Sequence, residues 1–296
     1  MTDRITNGMM QRTVLADIEN VYSQLTQTQE RLSSGKQLTK PSDDPFATSR
    51  ALLYRAGLAA NQQYQTNAQD MTSWLSASDT ALSTVNDDLG RVRDLLVQAA
   101  NGSMSQTDLD SISTELGQLA DSIKSDANTQ YAGSYIFSGS QTGTQPFTVG
   151  GADTYAGDSN AISRELGQGV TMQVNVTGDV VVSPILAAIR QIQTDLAAGG
   201  NNANLGTTDL DMVDAAQNTL SEQQAVVGAR ENRVTLATTR LQQLQQAQTQ
   251  DLSNTQDADI AQAMIDFSQQ SAVYQAALRA GASLIQPTLM DYLSTS

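Results

Sequence analysis

The stretch DADIAQAMIDFSQQSAVYQAALRAGASLIQPTLMDYL (Asp257–Leu293) decides how the chain folds. Along it Ile260, Met264, Phe267, Ser271, Tyr274, Leu278, Gly281, Ile285 and Leu289 follow steps of 4, 3, 4, 3, 4, 3, 4 and 4. That spacing turns one face of an α-helix toward a partner helix. A terminus is ordinarily the frayed part of a protein, yet this one carries an apolar stripe that nothing nearby in sequence can cover. The N-terminus repeats the pattern, with Met10, Val14, Ile18, Val21, Leu25, Thr28 and Leu32 stepping 4, 4, 3, 4, 3 and 4. Burying one large apolar side chain is worth roughly 1.5–3 kcal/mol, so two open seams of this length are a solubility liability. The economical arrangement brings the two ends together and lets further copies or partners complete the burial.

Composition agrees with slender helical packing. At 296 residues the chain has room for two or three domains, but only 4% of it is aromatic and it holds one tryptophan. Seams filled by Leu, Val, Ile and Ala suit so few rings better than one large globular core does. Cysteine and histidine are both absent, which excludes a disulfide framework, a Cys or His zinc site, a catalytic thiol and a His-based triad. The net charge is −15; residues 1–70 are balanced, with seven basic and seven acidic side chains, while residues 71–250 hold 8 basic against 19 acidic. Nucleic acid is a poor partner for such a surface. No run approaches the ~18 apolar residues of a membrane span, and the opening MTDRITNGMMQR has no apolar segment of a secretory signal.

Working inward from the ends, a first helix is expected from about Met9 to Ser34, stopped at Gly35, where a C-cap wants positive φ. The next start is marked by Asp44 as N-cap and Pro45 as first helical residue, where proline's missing N–H costs nothing. That helix is expected to reach about Ala100, with Met71, Leu75, Ser78, Leu82, Val85, Leu89, Val92, Leu96 and Ala99 as its seam. A third helix is expected over about Thr107–Tyr131. Nine of the 20 glycines then fall between Gly133 and Gly178, among the β-formers SYIFSG, PFTV, DTYAG, VTMQVNV and DVVV, so a small antiparallel β domain is expected there. After Pro184 come a short helix, Ile185–Leu196, and a long seam from Val213 to Gln248. The expected fold is mainly α: an elongated antiparallel helical bundle or coiled coil built from both termini, with a small inserted β domain. Three domains are expected: residues 1–40 with 255–296, residues 41–132 with 185–254, and the β-rich insert 133–184.

Chemistry is sparse. The carboxylate pairs Asp43/Asp44, Asp87/Asp88 and Asp257/Asp259 read as caps and solvated groups. Neither an EF-hand loop nor a phosphate-binding glycine pattern occurs, so no metal and no cofactor is expected. Asp153 and Asp158 flank a simple turn, and Trp74, at helical spacing beside Met71 and Leu75, reads as bundle core. A membrane-surface role is disfavoured, because the C-terminal stripe has one Arg279 and four Asp where such helices carry Lys and Arg.

RLSSGKQL (Arg31–Leu38), followed by SDDPFA (Ser42–Ala47) and a long helix, resembles the N-terminal signature of the flagellin superfamily, and Asp257–Leu293 resembles its C-terminal arm. The opening RITNGMM with VLADI, the run YAGSYIFSGSQTGTQPF (Tyr131–Phe147) and the ending QPTLMDYL resemble the hook-filament junction members more than filament flagellins. The resemblance implies a structural, non-enzymatic component of the bacterial flagellum whose terminal helices pair in an inner tube on assembly. Implied partners are further copies of the chain in a ring, hook-associated protein 1, flagellin, and an export chaperone on the C-terminal helix. The implied route is leaderless flagellar type III export to the cell exterior. Small residues Ala276, Ala277, Ala280, Gly281 and Ala282 would let helices approach closely, and Pro287 should kink or end the last helix. The alternatives are a filament flagellin and, from another class, a carboxylate-dependent hydrolase working through Asp43, Asp44, Asp153 and Asp158.

Overall fold

In the computed structural model the backbone is described over residues 7–101, 104–199 and 204–294, and the side chains over the same residues apart from 7, 8, 11 and 283–294. Among the described residues six helices and two small antiparallel ladders follow one another in the order α1 (Asn7–Ser34), α2 (Pro45–Ala100), α3 (Gln106–Ala127), β1 (Gln130–Tyr131), β2 (Ser134–Tyr135), β3 (Ser163–Gly167), β4 (Val170–Gln173), α4 (Gly178–Ala197), α5 (Thr208–Gln256) and α6 (Ile260–Ser294). The fold is mainly α with a small β insert, as expected. The chain divides into two compact units, residues 1–59 with 245–296 and residues 60–244.

The core of residues 60–244 is organised by the seam of α2. Met71, Leu75, Ser78, Leu82, Val85, Leu89, Val92, Leu96 and Ala99 are all buried, and Trp74 is buried beside them. Ser78 fits inside because its hydroxyl donates to the Trp74 carbonyl one turn back, at 3.0 Å. Leu109, Ile112, Leu116 and Ile123 of α3 and Val213, Ala216, Leu220, Val227, Val234 and Leu241 of α5 are buried as well. α3 starts on a capping box, in which the Ser105 side chain accepts from the Asp108 N–H and the Asp108 carboxylate accepts from the Ser105 N–H.

The insert carries less strand than its composition implies. β1 pairs with β2 through Gln130 opposite Tyr135. β3 pairs with β4 from Ser163 opposite Gln173 to Gly167 opposite Val170, with a bulge between Glu165 and Gly167. PFTV and DTYAG form no strand, and DVVV lies in the first turns of α4. There Val181, Val182, Ile185, Leu186 and Ile189 sit at helical spacing and are at most 1% exposed. Burial of that face outweighs the β preference of three valines and the hydrogen bond forfeited at Pro184, so α4 begins at Gly178 and not after the proline. α3 in turn ends at Ala127, with Asn128 as its C-cap.

Side-chain bonds to backbone do the work of a sheet across the rest of the insert. Asn128 Nδ2 donates to the Phe147 carbonyl at 2.8 Å and its Oδ1 accepts from the Phe147 N–H at 3.0 Å. Asn175, fully buried, accepts from the Ile162 N–H at 2.8 Å and donates to the Asn160 carbonyl at 2.9 Å. The Tyr155 hydroxyl donates to the carbonyls of Phe137 and Asp158, and burial pushes its pKa up to about 12. Lys124 of α3 has no exposed side-chain surface; its Nζ lies 2.6 Å from Asp153 Oδ1, 3.6 Å from Asp121 Oδ1 and 2.9 Å from the Gly151 carbonyl. Arg190 of α4 pairs with the same Asp153, and holds its carboxyl below the usual range. Phe137, Phe147, Leu166, Met172, Val174 and Val176 belong to the same contiguous core as the helices.

Because that core is shared, residues 60–244 are expected to unfold in one transition. Phe147→Ala in the insert and Leu116→Ala in α3 should destabilise that same transition, by about 3–5 and about 2–5 kcal/mol respectively. Urea unfolding followed by far-UV circular dichroism and by Trp74 fluorescence checks this; a separate early transition for the insert variant would show that it folds on its own.

Candidate assembly surface

The unit formed by residues 1–59 with 245–296 is built around two helix breaks joined backbone to backbone. α1 ends where the Gly35 N–H donates to the Arg31 carbonyl at 2.9 Å, with Gly35 at φ +67°. A Cβ at Gly35 would meet nothing within 4 Å, so the glycine is needed for its dihedral and not for space. Next to it Lys36 and Asp257 form an antiparallel bridge. The Ala258 N–H donates to the Gly35 carbonyl at 3.0 Å and the Gln37 N–H donates to the Gln256 carbonyl at 2.7 Å.

Both following helices are capped by aspartates. Asp44 Oδ1 accepts from the N–H groups of Phe46 and Ala47, at 3.0 and 2.9 Å, with Pro45 opening α2. Asp259 Oδ1 accepts from Ala261 and Gln262, at 3.0 and 3.1 Å, and so opens α6. Asp43 accepts from the Lys40 N–H at 2.9 Å and from the Thr39 hydroxyl at 3.0 Å, which hold its carboxyl below the ordinary range. Each of the three carboxylates thus accepts from backbone N–H groups close by in sequence. Arg55 of α2 donates from Nη2 to Oε1 of the buried Gln256 at 2.6 Å, beside a cleft of about 350 Å³ lined by Lys36, Leu38, Pro41 and Leu52.

α1 packs along α6 in antiparallel register. A Cβ on Gly281 would lie 3.2 Å from Ile18 Cδ1 and 3.4 Å from Val14 Cγ1, and the rings of Tyr22 and Tyr274 meet at 5.7 Å. On α1, Val14, Ile18, Val21, Leu25 and Leu32 are half-buried and Thr28 is buried, while Met10 is 42% exposed. On α6 the half-buried and buried positions run Ala263, Asp266, Phe267, Gln270, Ser271, Tyr274, Ala277 and Gly281. Phe267, Tyr274 and Gly281 of the sequence-derived stripe thus meet α1, whereas Ile260, Met264 and Leu278 are 42, 61 and 43% exposed. Ala263, Gln270 and Ala277 complete the covered face in their place; they scored as ordinary helix residues because alanine and glutamine carry little apolar weight. Ile285 and Leu289 lie where side chains are outside the described residues. α6 runs on past Pro287 to Ser294, so that proline does not end the helix; it removes one backbone bond, which the turns on either side outweigh.

The uncovered part of the α6 stripe adjoins further apolar exposure at Ile265 and Val273 of α6, and Met9, Leu15 and Tyr22 of α1 are similarly exposed. An apolar surface of this kind marks a contact with another protein more often than free surface. None of the helices among the described residues is long and apolar enough to cross a membrane.

Comparison with known proteins agrees with this geometry at both ends of the chain. Residues 5–142 match the bacterial flagellin N-terminal helical region and residues 210–293 the bacterial flagellin C-terminal helical region. The chain belongs to the flagellin superfamily. Within it, the chain is similar to flagellar hook-associated protein 3 of Salmonella typhimurium, 31% identical over 185 residues, which is 62% of this chain and 57% of that protein. The FlgL structure from Bacillus cereus superimposes with a TM-score of 0.59 at 25% identity, covering 68% of this chain and 99% of that one. The flagellin of Bacillus subtilis is 27% identical over 92% of this chain and 93% of its own length.

Two glycines give a prediction of opposite sign. Gly35→Ala puts a Cβ at positive φ and should cost about 1–2 kcal/mol. Gly90→Ala, in mid-α2 with open space around its Cβ position, should stabilise by about 0.5–1 kcal/mol. Chemical unfolding of the two variants beside the parent chain measures both. Asp44→Ala should cost about 1 kcal/mol through the lost cap, while Asp44→Asn or Asp44→Ser should be nearly neutral.

Proposed function

We propose that the chain is a structural, non-enzymatic protein of the bacterial flagellum that forms the junction between hook-associated protein 1 and the flagellin filament. The observation that carries the proposal is the α6 stripe, one side of which α1 covers while Ile260, Met264 and Leu278 stay in water. Together with the likeness to hook-associated protein 3 and the flagellin-type helical regions at both ends, this supports assembly in which neighbouring copies close the open side. The terminal helices, residues 1–40 and 255–296, would form the inner tube, with residues 41–132 and 185–254 as a surrounding bundle and 133–184 outermost. The seam residues Val14, Ile18, Val21, Leu25, Leu32, Phe267 and Tyr274 would join α1 to α6 within a copy; Met10, Ile260, Met264 and Leu278 would meet other copies. Export would follow the flagellar type III route, with a chaperone holding the C-terminal stripe beforehand.

A filament flagellin is the second reading, and the near full-length alignment to the Bacillus subtilis flagellin favours it. Copy number separates the two: a filament protein dominates sheared flagella, whereas a junction protein is a trace component. Deleting the gene is the direct test. The junction reading expects cells with hooks, no filaments and flagellin in the medium, and normal filaments would refute it. At residue level, Met264→Glu and Leu278→Glu should leave the thermal unfolding of the purified monomer within about a degree, because both positions are already solvated, and should abolish incorporation into flagella. Loss of monomer stability instead would mean that the stripe is closed within one copy.

A further inference from the structure

Outside the assembly surface, the corner between α4 and α5 holds two largely buried acids, Asp195 and Asp209. Asp195, in the last turn of α4, is 8% exposed, and Asp209, the second residue of α5, is 0% exposed. Both Asp209 carboxylate oxygens are sealed from water and lack a donor. The two side chains are nevertheless within hydrogen-bonding reach of each other. Two ionised carboxylates have only acceptors to offer, so that contact becomes a hydrogen bond only when one of them is protonated.

We propose that Asp195 and Asp209 hold one proton between them, carried on Asp209, and that this shared proton latches the start of α5 to the end of α4. The charged groups on the surrounding elements are otherwise engaged. On α4, Gln191 donates to Asp195 Oδ2 at 3.1 Å and Arg190 is committed to Asp153. On α3, Asp108 is in the capping box and Asp110 accepts at 2.9 Å from Gln106, whose amide also donates to the Leu196 carbonyl at 3.3 Å. On α5, Asp211 is exposed and Asp214 pairs with Arg93 of α2 at 2.9 Å. Among the described residues no lysine or arginine offsets the Asp209 charge; burial first and Asp195 second raise its carboxyl from 3.8 to about 6. The favourable N-terminal dipole of α5 is outweighed by that burial.

The direction of the pH effect follows. The unfolded chain loses this proton near 3.8 and the folded chain near 6, so the folded state binds it more tightly. The latch contributes fully below about pH 4, weakens as pH rises through about 6, and is lost above it. In Asp209→Asn the amide donates to Asp195 without needing a proton, so the variant should not feel this change.

The experiment compares urea unfolding of the full chain and of Asp209→Asn at pH 4.5 and pH 7.5. At pH 7.5 the unfolding constant of the variant should be tenfold or more below that of the parent, and the advantage should shrink roughly tenfold at pH 4.5. Carboxyl carbon NMR of the parent chain supplies a reading that needs no variant: the Asp209 signal should titrate well above the ordinary aspartate range. Equal parent-to-variant ratios at the two pH values, or ordinary titration of Asp209, would overturn the proposal. It would also be overturned if magnesium or calcium chloride at pH 7.5 raised the melting temperature of the parent but not of Asp209→Asn, since a metal ion would then hold the place of the proton.

Discussion

The stripe that α2 presents from Met71 to Ala99 is the constraint on which residues 60–244 depend, because nine positions in 4-3 steps leave water together. A helix can do this only if other helices lie along it, and the leucine and valine faces of α3 and α5 provide them. Packing that dense fixes the axial level of each element, since a slip by one turn would set Ser78 and Ala99 opposite the wrong volumes. The insert inherits its position from the same surface. Phe137 and Phe147 reach into the helical core, and Asn128 and Asn175 bond the surrounding backbone, so a segment with only two small ladders is still placed in one way.

The same 4-3 spacing has a different outcome at the ends of the chain. A pair of helices can cover one face of each, and α1 takes the face of α6 that runs through Ala263, Gln270 and Ala277 as well as Phe267, Tyr274 and Gly281. Gly281 lets Val14 and Ile18 come close, which draws the contact toward the small residues and away from Met264 and Leu278. Methionine and leucine left in water on a two-helix hairpin have no intramolecular use. In the proposed junction role a further helix would offset their cost, and the open side of α6 would then serve assembly.

Much of this was legible in the sequence where a residue's job is local. Gly35 stops a helix by its dihedral, Asp44 and Pro45 start one through N–H groups two and three residues away, and the α2 seam is a matter of spacing alone. What was illegible depends on distant partners. DVVVSP reads as strand because valine prefers strands, and becomes helix because the core accepts Val181, Val182 and Ile185 at helical spacing. Which side of the α6 stripe α1 would choose rests on Gly281 meeting Val14 and Ile18, more than 260 positions apart in the chain. The polar bonds that hold the insert come from Asn128, Asn175 and Tyr155, residue types that occur as often on a surface and carry no periodic signal.

Two buried ionisable sites show how differently the fold neutralises charge. Lys124 is fully enclosed, yet Asp153, Asp121 and the Gly151 carbonyl surround its ammonium, and Arg190 pairs with the same Asp153 carboxylate. Those oxygens and Arg190 tie α3, α4 and the insert together at one point. Removing the partners of Lys124 one at a time would expose a buried charge, which is why such ties are costly to break and still add little over an apolar replacement. Asp209 has the opposite surroundings: its nearest ionisable neighbour is another acid, and water is excluded from both oxygens. With no cation beside Asp209 among the described residues, a proton is the cheapest neutralising charge, and its retention then depends on the solvent. One unit of the protein therefore contains a charge site fixed by its partners and another set by the medium, and the difference comes from which side chains the helices happen to bring alongside.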